Sequence, residues 1–319
     1  MPSEFDLIRR HFTRATGHTD LAVGDDAALL SPRPGMQLAV STDMLVCGTH
    51  FLPDTEPGAL GWKTLAVNVS DLAAMGAEPR WALLALALPD ADEGWIAAFA
   101  GGLFECAAKF GVDVVGGDTT RGPLNLCVTV FGELPYGGAI TRAGARAGDD
   151  VWVSGWPGRA ALGLAQLRGE LALTADGARG CVDALTRPQP RVATGLALRG
   201  HASAMLDVSD GLLGDLAHIL EQSGVGATVE VAALPLAALQ ALGAPPERAR
   251  AALLAGGDDY ELLFAAPPPQ RDAIAHLAST TGIPLTRIGH ITPTPGELLL
   301  REPDGRLVRP GALGYDHFK

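Results

Sequence analysis

Short apolar runs bounded by glycine or aspartate alternate with amphipathic helical patterns along the whole of this chain, a pattern that belongs to an α/β fold. The clearest run is WALLALAL at residues 81–88, nearly continuous in apolar residues, as in a strand covered on both faces. Residues 58–75 before it carry a helical pattern that Gly76 and Pro79 end. Residues 92–110 after it read as a long helix with Ile96, Phe99, Leu103 and Phe110 inward and Gly111 at its end. A short amphipathic helix is expected at residues 3–12, capped by Ser3, with Phe5, Ile8 and Phe12 on one face. Residues 37–41 alternate like a strand and run into Thr42-Asp43, and further strands are read at 112–115 and 126–134.

The second half starts afresh. Strands are expected at residues 151–154, 204–208, 227–231, 261–265 and 288–291, and helices at 160–168 and 212–222, the latter stopped by Gly224. The turn-rich RPQPR at residues 187–191 precedes another helix. The Gly/Arg-rich stretch 136–149 reads as a junction, giving an N-terminal domain of residues 1–138 and a C-terminal domain of residues 139–319. A chain of 319 residues is long for one core and comfortable as two. The halves also echo one another: each has a strand running into an aspartate cluster (STD from Ser41, DVSD from Asp207) and a GGD ahead of a strand (Gly116, Gly256).

Composition narrows the partners. A net charge of −12 supplies no basic footprint for nucleic acid or an anionic membrane. Phosphate ligands stay open, because divalent metals can sit between carboxylates and phosphates. The apolar run at 81–88 is far short of the roughly 20 residues that span a bilayer. The N-terminus, MPSEFDLIRR, lacks a basic-then-apolar signal pattern. Cys47, Cys106, Cys127 and Cys181 lie far apart with no C-x-x-C pair, so zinc and disulfides are not expected and a reducing cytoplasm fits.

The chemistry gathers at aspartates. They occur in GDDAA from Gly24, STD ending at Asp43, NVSD ending at Asp71, GGDTTRG from Gly116, DVSDG from Asp207 and GGDDYEL from Gly256. Most stand beside Gly, Ser or Thr, which admit a close ligand and add hydroxyl oxygens. At strand ends they would line a sheet rim, where α/β proteins bind ligands, and an all-oxygen set suits Mg²⁺. Taken singly, an Asp-Gly or Asp-Asp is usually a turn or a helix cap. Asp71 differs, because it interrupts an apolar helical pattern and shares a face with Asn68. His50 reads equally as a satisfied, partly buried histidine or as a ligand contact. Arg142 is either solvated or a phosphate clamp on a flexible loop. Met75 and the tryptophans read as core. No Gly-Lys dipeptide, H-R-D or D-F-G occurs, so ATP would have to be held by an architecture other than a P-loop or a protein-kinase site.

In this order the motifs resemble the thiamine-monophosphate kinase family, of the aminoimidazole-ribotide synthetase-like ATP-binding superfamily. The match runs the length of the chain: GDDAALL, STDMLVCGTHF, KTLAVNVSDLAAMGAEP, GGDTTRGP, residues 150–155, RPQPRV, DVSDGLLGDLAHI, GGDDYELLF and the closing GYDHF. NVSDLAAMGA and GYDHF are its most specific parts. The resemblance implies two α/β domains, the N-terminal one dimerising through its sheet to give a homodimer, with nucleotide and substrate between the domains. It implies ATP and thiamine monophosphate as substrates and several Mg²⁺ ions as cofactor. Asp26, Asp43, Asp71, Asp118, Asp207 and Asp210 match the family's metal-binding aspartates, and Ser41 and Thr42 its auxiliary metal ligands. Catalysis through metal is implied for Asp43, Asp118 and Asp210. Gly117, Asp118, Arg142 and Ser209 match nucleotide contacts, and His50 and Tyr315 substrate contacts. Asp258 also matches a substrate position, where the family usually carries Glu, one methylene longer.

The implied reaction needs no general base. Its nucleophile is a phosphate-monoester oxygen, already ionised near neutral pH because the second phosphate pKa is about 6. The obstacle is repulsion between two anions, which metal ions would neutralise while aligning them for in-line transfer. Two rivals come from the same superfamily. Selenophosphate synthetase would need a reactive Cys and a Lys near the N-terminus, and residues 1–24 hold neither. The hydrogenase-maturation dehydratase would need a terminal cysteine, and this chain ends HFK. A non-catalytic metal- or nucleotide-binding regulator is the alternative from another class.

Overall fold

The structure, a computed structural model, describes residues 4–311 and 313–315. Two compact units form, Met1–Leu72 with Ala77–Gly137, and Ala73–Gly76 with Gly138–Lys319. The expected cap Ser3 lies outside the described residues, as do the last four residues of the closing motif and tail and the side chain of Phe5.

In the first unit the order is α1 (Glu4–Leu7), a π-helical turn (Ile8–Phe12), β1 (Met36–Val46), α2 (Pro57–Ala74), β2 (Glu78–Leu88), α3 (Glu93–Phe110), β3 (Asp113–Arg121) and β4 (Asn125–Pro135). The four strands form one sheet in the order β1-β4-β2-β3. Only β2 and β3, joined by the crossover helix α3, run parallel. Asp92 starts α3 by accepting from the N–H of Gly94 and Trp95, and Gly111, at φ 68°, ends it. Helices α2 and α3 cross with their backbones in contact. A Cβ on Gly102 would lie 1.7 Å from the Gly58 carbonyl oxygen, and one on Gly61 2.0 Å from that of Phe99.

Two expectations change here. The run at residues 81–88 is not covered on both faces: Trp81, Leu84, Leu86 and Leu88 are buried, but Ala85 is exposed and Leu83 and Ala87 only half-buried. The helices cover one face, and the other is open in this chain, with Leu38, Val40 and Met44 of β1 at 41%, 57% and 53% exposure. The strands are also longer than expected. β1 pairs with β4 from Met36↔Pro135 to Val46↔Asn125, which places Asp43 inside a strand and not at its end. β3 likewise runs through GGDTTR, pairing Gly116 to Arg121 with Leu83 to Leu88. Gly, Asp and Thr read locally as turn formers. Here the ladder overrides that preference, and both strands are edge strands, where polar residues are tolerated. The echo between the halves therefore fails in one respect: the first GGD is in a strand, whereas residues 256–258 are irregular backbone.

The second unit contains β5 (Asp150–Ser154), α4 (Arg159–Leu167), α5 (Ala175–Thr186), α6 (Val192–Ala197), β6 (Ala204–Asp207), α7 (Leu212–Ser223) and β7 (Gly226–Glu230). It continues with α8 (Leu236–Ala241), α9 (Pro246–Ala255), β8 (Leu262–Ala266), α10 (Arg271–Thr281), β9 (Leu285–Thr292), β10 (Leu298–Arg301) and β11 (Leu307–Val308). Its seven strands order as β11-β10-β7-β9-β5-β8-β6. The sheet is covered on both faces. Val151, Val153, Leu206 and Leu263 point into one core with α7 and α9. Trp152, Met205, Leu262 and Phe264 point into the other with Leu198 and Ile274. Double cover explains why β5, β6 and β8 are buried at every position.

Candidate functional site

In the first unit the side chains of interest meet where β1 passes α2. The Ser41 hydroxyl donates to Asp71 Oδ2 at 2.5 Å. The backbone N–H of Asp43 donates to Asn68 Oδ1 at 2.8 Å, and Asn68 Nδ2 donates to the Thr64 carbonyl one turn back. Asn68 is fully buried, so the carboxyl of Asp71 shares its helix face with an amide that is already satisfied. The Thr42 hydroxyl donates to the Val128 carbonyl at 2.9 Å on the exposed side of the sheet. His50 Nδ1 accepts from the Val46 N–H at 3.0 Å, which fixes the ring proton on Nε2. Asp26 is exposed, and its N–H donates to Asp25 Oδ1. Asp118 is exposed on β3, the opposite edge strand from Asp43. Before it, Gly117 sits at φ 151°, and a Cβ there would meet the Leu84 carbonyl oxygen at 1.8 Å, so only glycine lets β3 lie this close to β2.

In the second unit the DVSDG turn, residues 207–211, is held from both sides. The N–H groups of Ser209, Asp210 and Gly211 all donate to Oδ2 of Asp215, at 3.1, 3.1 and 3.0 Å. Burial pushes the Asp215 carboxyl up to about 6, the nearby Asp210 charge adds to the rise, and the backbone donors oppose it. On the outer side the Ser209 carbonyl accepts from the Asp258 N–H at 2.8 Å, and the Asp210 carbonyl from the Tyr315 N–H at 2.9 Å. Asp207 is buried, Ser209 and Asp210 are half-buried, and Tyr315 is exposed. Asp258 and Tyr260 both take positive φ, 66° and 53°, and the Tyr260 hydroxyl donates to Asp258 Oδ1. Left-handed backbone at non-glycine residues marks a loop whose shape is fixed by its neighbours. Arg142 is exposed, and its carbonyl accepts from Ser223 Oγ.

Next to this turn the second unit has a polar cleft of about 370 Å³. Trp156, Arg159, Arg187, Arg191, Asp259 and Glu261 are among its walls. Glu261 takes a bidentate pair from Arg191 at 2.6 and 2.5 Å, with Ser154 Oγ at 2.6 Å and the Trp156 N–H at 3.2 Å. Asp259 accepts from the N–H of Gly158 and Ala160, and desolvation pushes its carboxyl well above the usual range. Asp215, Asp259, Glu261 and Arg191 all stand in motifs that carry the resemblance, yet none was singled out. The available signal was a third aspartate in DVSDGLLGD and two further acids after Asp258.

Among the described residues no three His, Cys, Asp or Glu side chains converge as a preformed metal cage. The donors come instead as oxygen pairs, such as Ser41 with Asp71. That donor set fits Mg²⁺, which keeps several waters and takes one or two protein carboxylates together with substrate phosphates.

Residues 24–134 match the model of the AIR synthase related protein N-terminal domain, and residues 146–300 that of the corresponding C-terminal domain. The chain is 44% identical to the thiamine-monophosphate kinase of Escherichia coli (strain K12) over 320 aligned residues, covering 99% of this chain and 98% of that one. The crystal structure of thiamine-monophosphate kinase from Stenotrophomonas maltophilia K279a superposes with a TM-score of 0.84 at 46% identity, covering 95% of each chain. The structure of AaThiL complexed with AMPPCP and TMP superposes with a TM-score of 0.76 at 31% identity, covering 90% of this chain and 89% of that one. With two matching domain models and full-length likeness of this order, the chain belongs to the thiamine-monophosphate kinase family of AIR synthase related enzymes.

Proposed function

We propose that this chain transfers the γ-phosphoryl group of ATP to thiamine monophosphate, giving thiamine diphosphate, by direct in-line displacement with Mg²⁺. The observation that carries the reading is full-length likeness to thiamine-monophosphate kinases, together with likeness to AaThiL complexed with AMPPCP and TMP. When bound, Mg²⁺ neutralises and aligns the two phosphate groups. Asp43, Asp118 and Asp210 would serve catalysis by holding that metal, with Asp26, Asp71 and Asp207 as further carboxylate ligands and Ser41 and Thr42 as hydroxyl ligands. Asp71 and Asn68 hold β1 in place at Ser41 and Asp43. Gly117, Asp118, Arg142 and Ser209 receive the nucleotide, Arg142 offering its guanidinium to phosphate. His50, protonated on Nε2, donates to the acceptor phosphate and abstracts nothing, while Asp258 and Tyr315 contact the rest of the substrate. Residues 1–138 are read as the metal- and nucleotide-binding and dimerisation domain, and residues 139–319 as the domain that carries the remaining site residues.

The chain is also proposed to be a homodimer joined through the open face of the first sheet. Support comes from Leu38, Val40 and Met44, a row of exposed apolar side chains along β1. No described helix is long and apolar enough to cross a membrane, and all four cysteines are free, in keeping with a cytoplasmic enzyme.

The test is ATP consumption with thiamine monophosphate against free thiamine as acceptor, with Asp43→Asn and Asp118→Asn as controls. The monophosphate alone should be phosphorylated, and both variants should fold and lose turnover. Efficient phosphorylation of free thiamine would sink the substrate assignment, because a neutral hydroxyl needs a base that the reading does not supply.

A further inference from the structure

The geometry points to Asp215 as a positioning residue for the phosphoryl-transfer site: its one buried carboxylate oxygen sets the shape of the turn that carries Ser209 and Asp210 and, through that turn, the places of Asp258 and Tyr315. The inference rests on the kinase reading above.

Three consecutive backbone N–H groups cannot aim at one atom unless the chain curls around it. Those of Ser209, Asp210 and Gly211 do so, all ending on Asp215 Oδ2 within 3.1 Å. They are also donors that α7 cannot satisfy, because they precede its first turn. With the N–H groups turned inward, the carbonyls of the same turn point the other way. That of Ser209 receives the Asp258 N–H, and that of Asp210 the Tyr315 N–H. Glycines let these strands of chain approach: a Cβ on Gly257 would lie 2.4 Å from the Ser209 oxygen, and one on Gly314 2.6 Å from the Asp210 oxygen. Asp215 is thus the hub of a stack in which the nucleotide position, a metal position and two substrate positions share one set of backbone hydrogen bonds. At 4% exposure it is too deep to reach a ligand itself.

An ordinary helix cap would give stability alone. A positioning residue gives turnover, because a displacement of about 1 Å at a reacting group costs on the order of a hundredfold in rate. The measurement is steady-state kinetics on the full chain, corrected for folded fraction by a thermal unfolding curve, for Asp215→Ala, Asp215→Asn and Leu220→Ala. Leu220 lies buried on the same helix, away from the turn, and controls for loss of stability. Asp215→Ala leaves the three donors without an acceptor, so kcat should fall about 10- to 100-fold, as for other groups that orient ligands without touching substrate. Asp215→Asn keeps one acceptor oxygen and should restore kcat to within about threefold, whereas Leu220→Ala should lower the melting temperature and keep kcat. Wild-type kcat per folded molecule in Asp215→Ala, or equal losses in Asp215→Ala and Leu220→Ala, overturns the proposal. If Asp215→Ala does not fold, Asp215→Glu decides, since it keeps the charge and displaces the acceptor by one methylene. Wild-type kcat there overturns the proposal, and a tenfold loss with an intact unfolding transition upholds it. A wild-type chain inactive on thiamine monophosphate would refute the kinase reading instead, so the two failures are distinguishable.

Discussion

Replacing Arg191 with methionine should destabilise the second unit far more than an ordinary surface change. The guanidinium makes two hydrogen bonds to Glu261, at 2.6 and 2.5 Å, and the carboxylate side chain it faces is only 5% exposed. Methionine fills most of the space of the arginine stem, so cavity formation is a minor part of the loss. What remains is a buried carboxylate whose other donors among the described residues are Ser154 Oγ and the Trp156 N–H. Removing one partner of a buried pair costs about 3–5 kcal/mol, because the other charge stays desolvated. For a unit of this size that is a fall of roughly 6–20 °C in melting temperature, taking about 2–4 °C per kcal/mol. Urea unfolding followed by tryptophan fluorescence measures it, since Trp152 and Trp156 lie beside the network. The double variant Arg191→Met with Glu261→Gln should recover part of the loss, as neutralising the stranded carboxylate removes the desolvated charge. A single-variant loss under about 1 kcal/mol, or strict additivity in the double variant, would refute this account of the pair.

Three further outcomes are expected. Gly102→Ala should destabilise the first unit by about 1–3 kcal/mol in urea unfolding, because its Cβ would fall 1.7 Å from the Gly58 carbonyl oxygen and force α2 and α3 apart. Burial alone would raise the Asp150 carboxyl, but hydrogen bonds from Arg271 and Arg287 hold it below its ordinary value. Its stabilisation is therefore present above the unfolded carboxylate pKa and lost as pH falls through the lower folded value; the stability gap between wild type and Asp150→Asn should persist at neutral pH and close only in acid below the ordinary carboxylate range. His50→Ala should raise the KM for thiamine monophosphate more than it lowers kcat, as loss of a binding contact does; an unchanged KM with collapsed kcat would make His50 an acid–base group.

Much of the architecture was legible in the sequence because its signals are local. Helix α3 has an aspartate cap, a 3.6-residue pattern and a stopping glycine, and it forms over almost the residues those signals mark. The doubly covered strands β5, β6 and β8 are short apolar runs, as buried strands must be. Helices α5, α8, α9 and α10 were not read, because α5, α9 and α10 carry few large apolar residues and α8 is only six residues long. The ends of β1 and β3 were misjudged for a different reason. Nothing in STDMLV or GGDTTR announces a strand; pairing with β4 and β2, which are distant in sequence or in contact only through the sheet, makes them one. The motif residues were visible, but the acids that hold them were not, because a buried carboxylate accepting backbone N–H groups looks in sequence like any other aspartate.

That last difference has a physical pattern. An acid behind the loop uses its oxygens on the protein: Asp215 on three N–H groups, Asp259 on two, and Asp113 on Gly17, His18 and Thr19. An acid that is to bind metal must keep lone pairs for it, and Asp26 and Asp118, proposed above as metal ligands, are exposed. Both kinds are needed in one motif. Backbone N–H groups left pointing at solvent beside a carboxylate would attract phosphate on their own and compete with the metal for it, as such groups bind anions at helix N-termini. Capturing those of residues 209–211 on Asp215 removes that competing anion site and leaves the Ser209 and Asp210 side chains as the polar groups the turn presents. On the proposed reading, an acidic chain of net charge −12 handles two phosphate substrates because part of its negative charge faces inward onto its own backbone and the remainder would recruit the cation that offsets the phosphates.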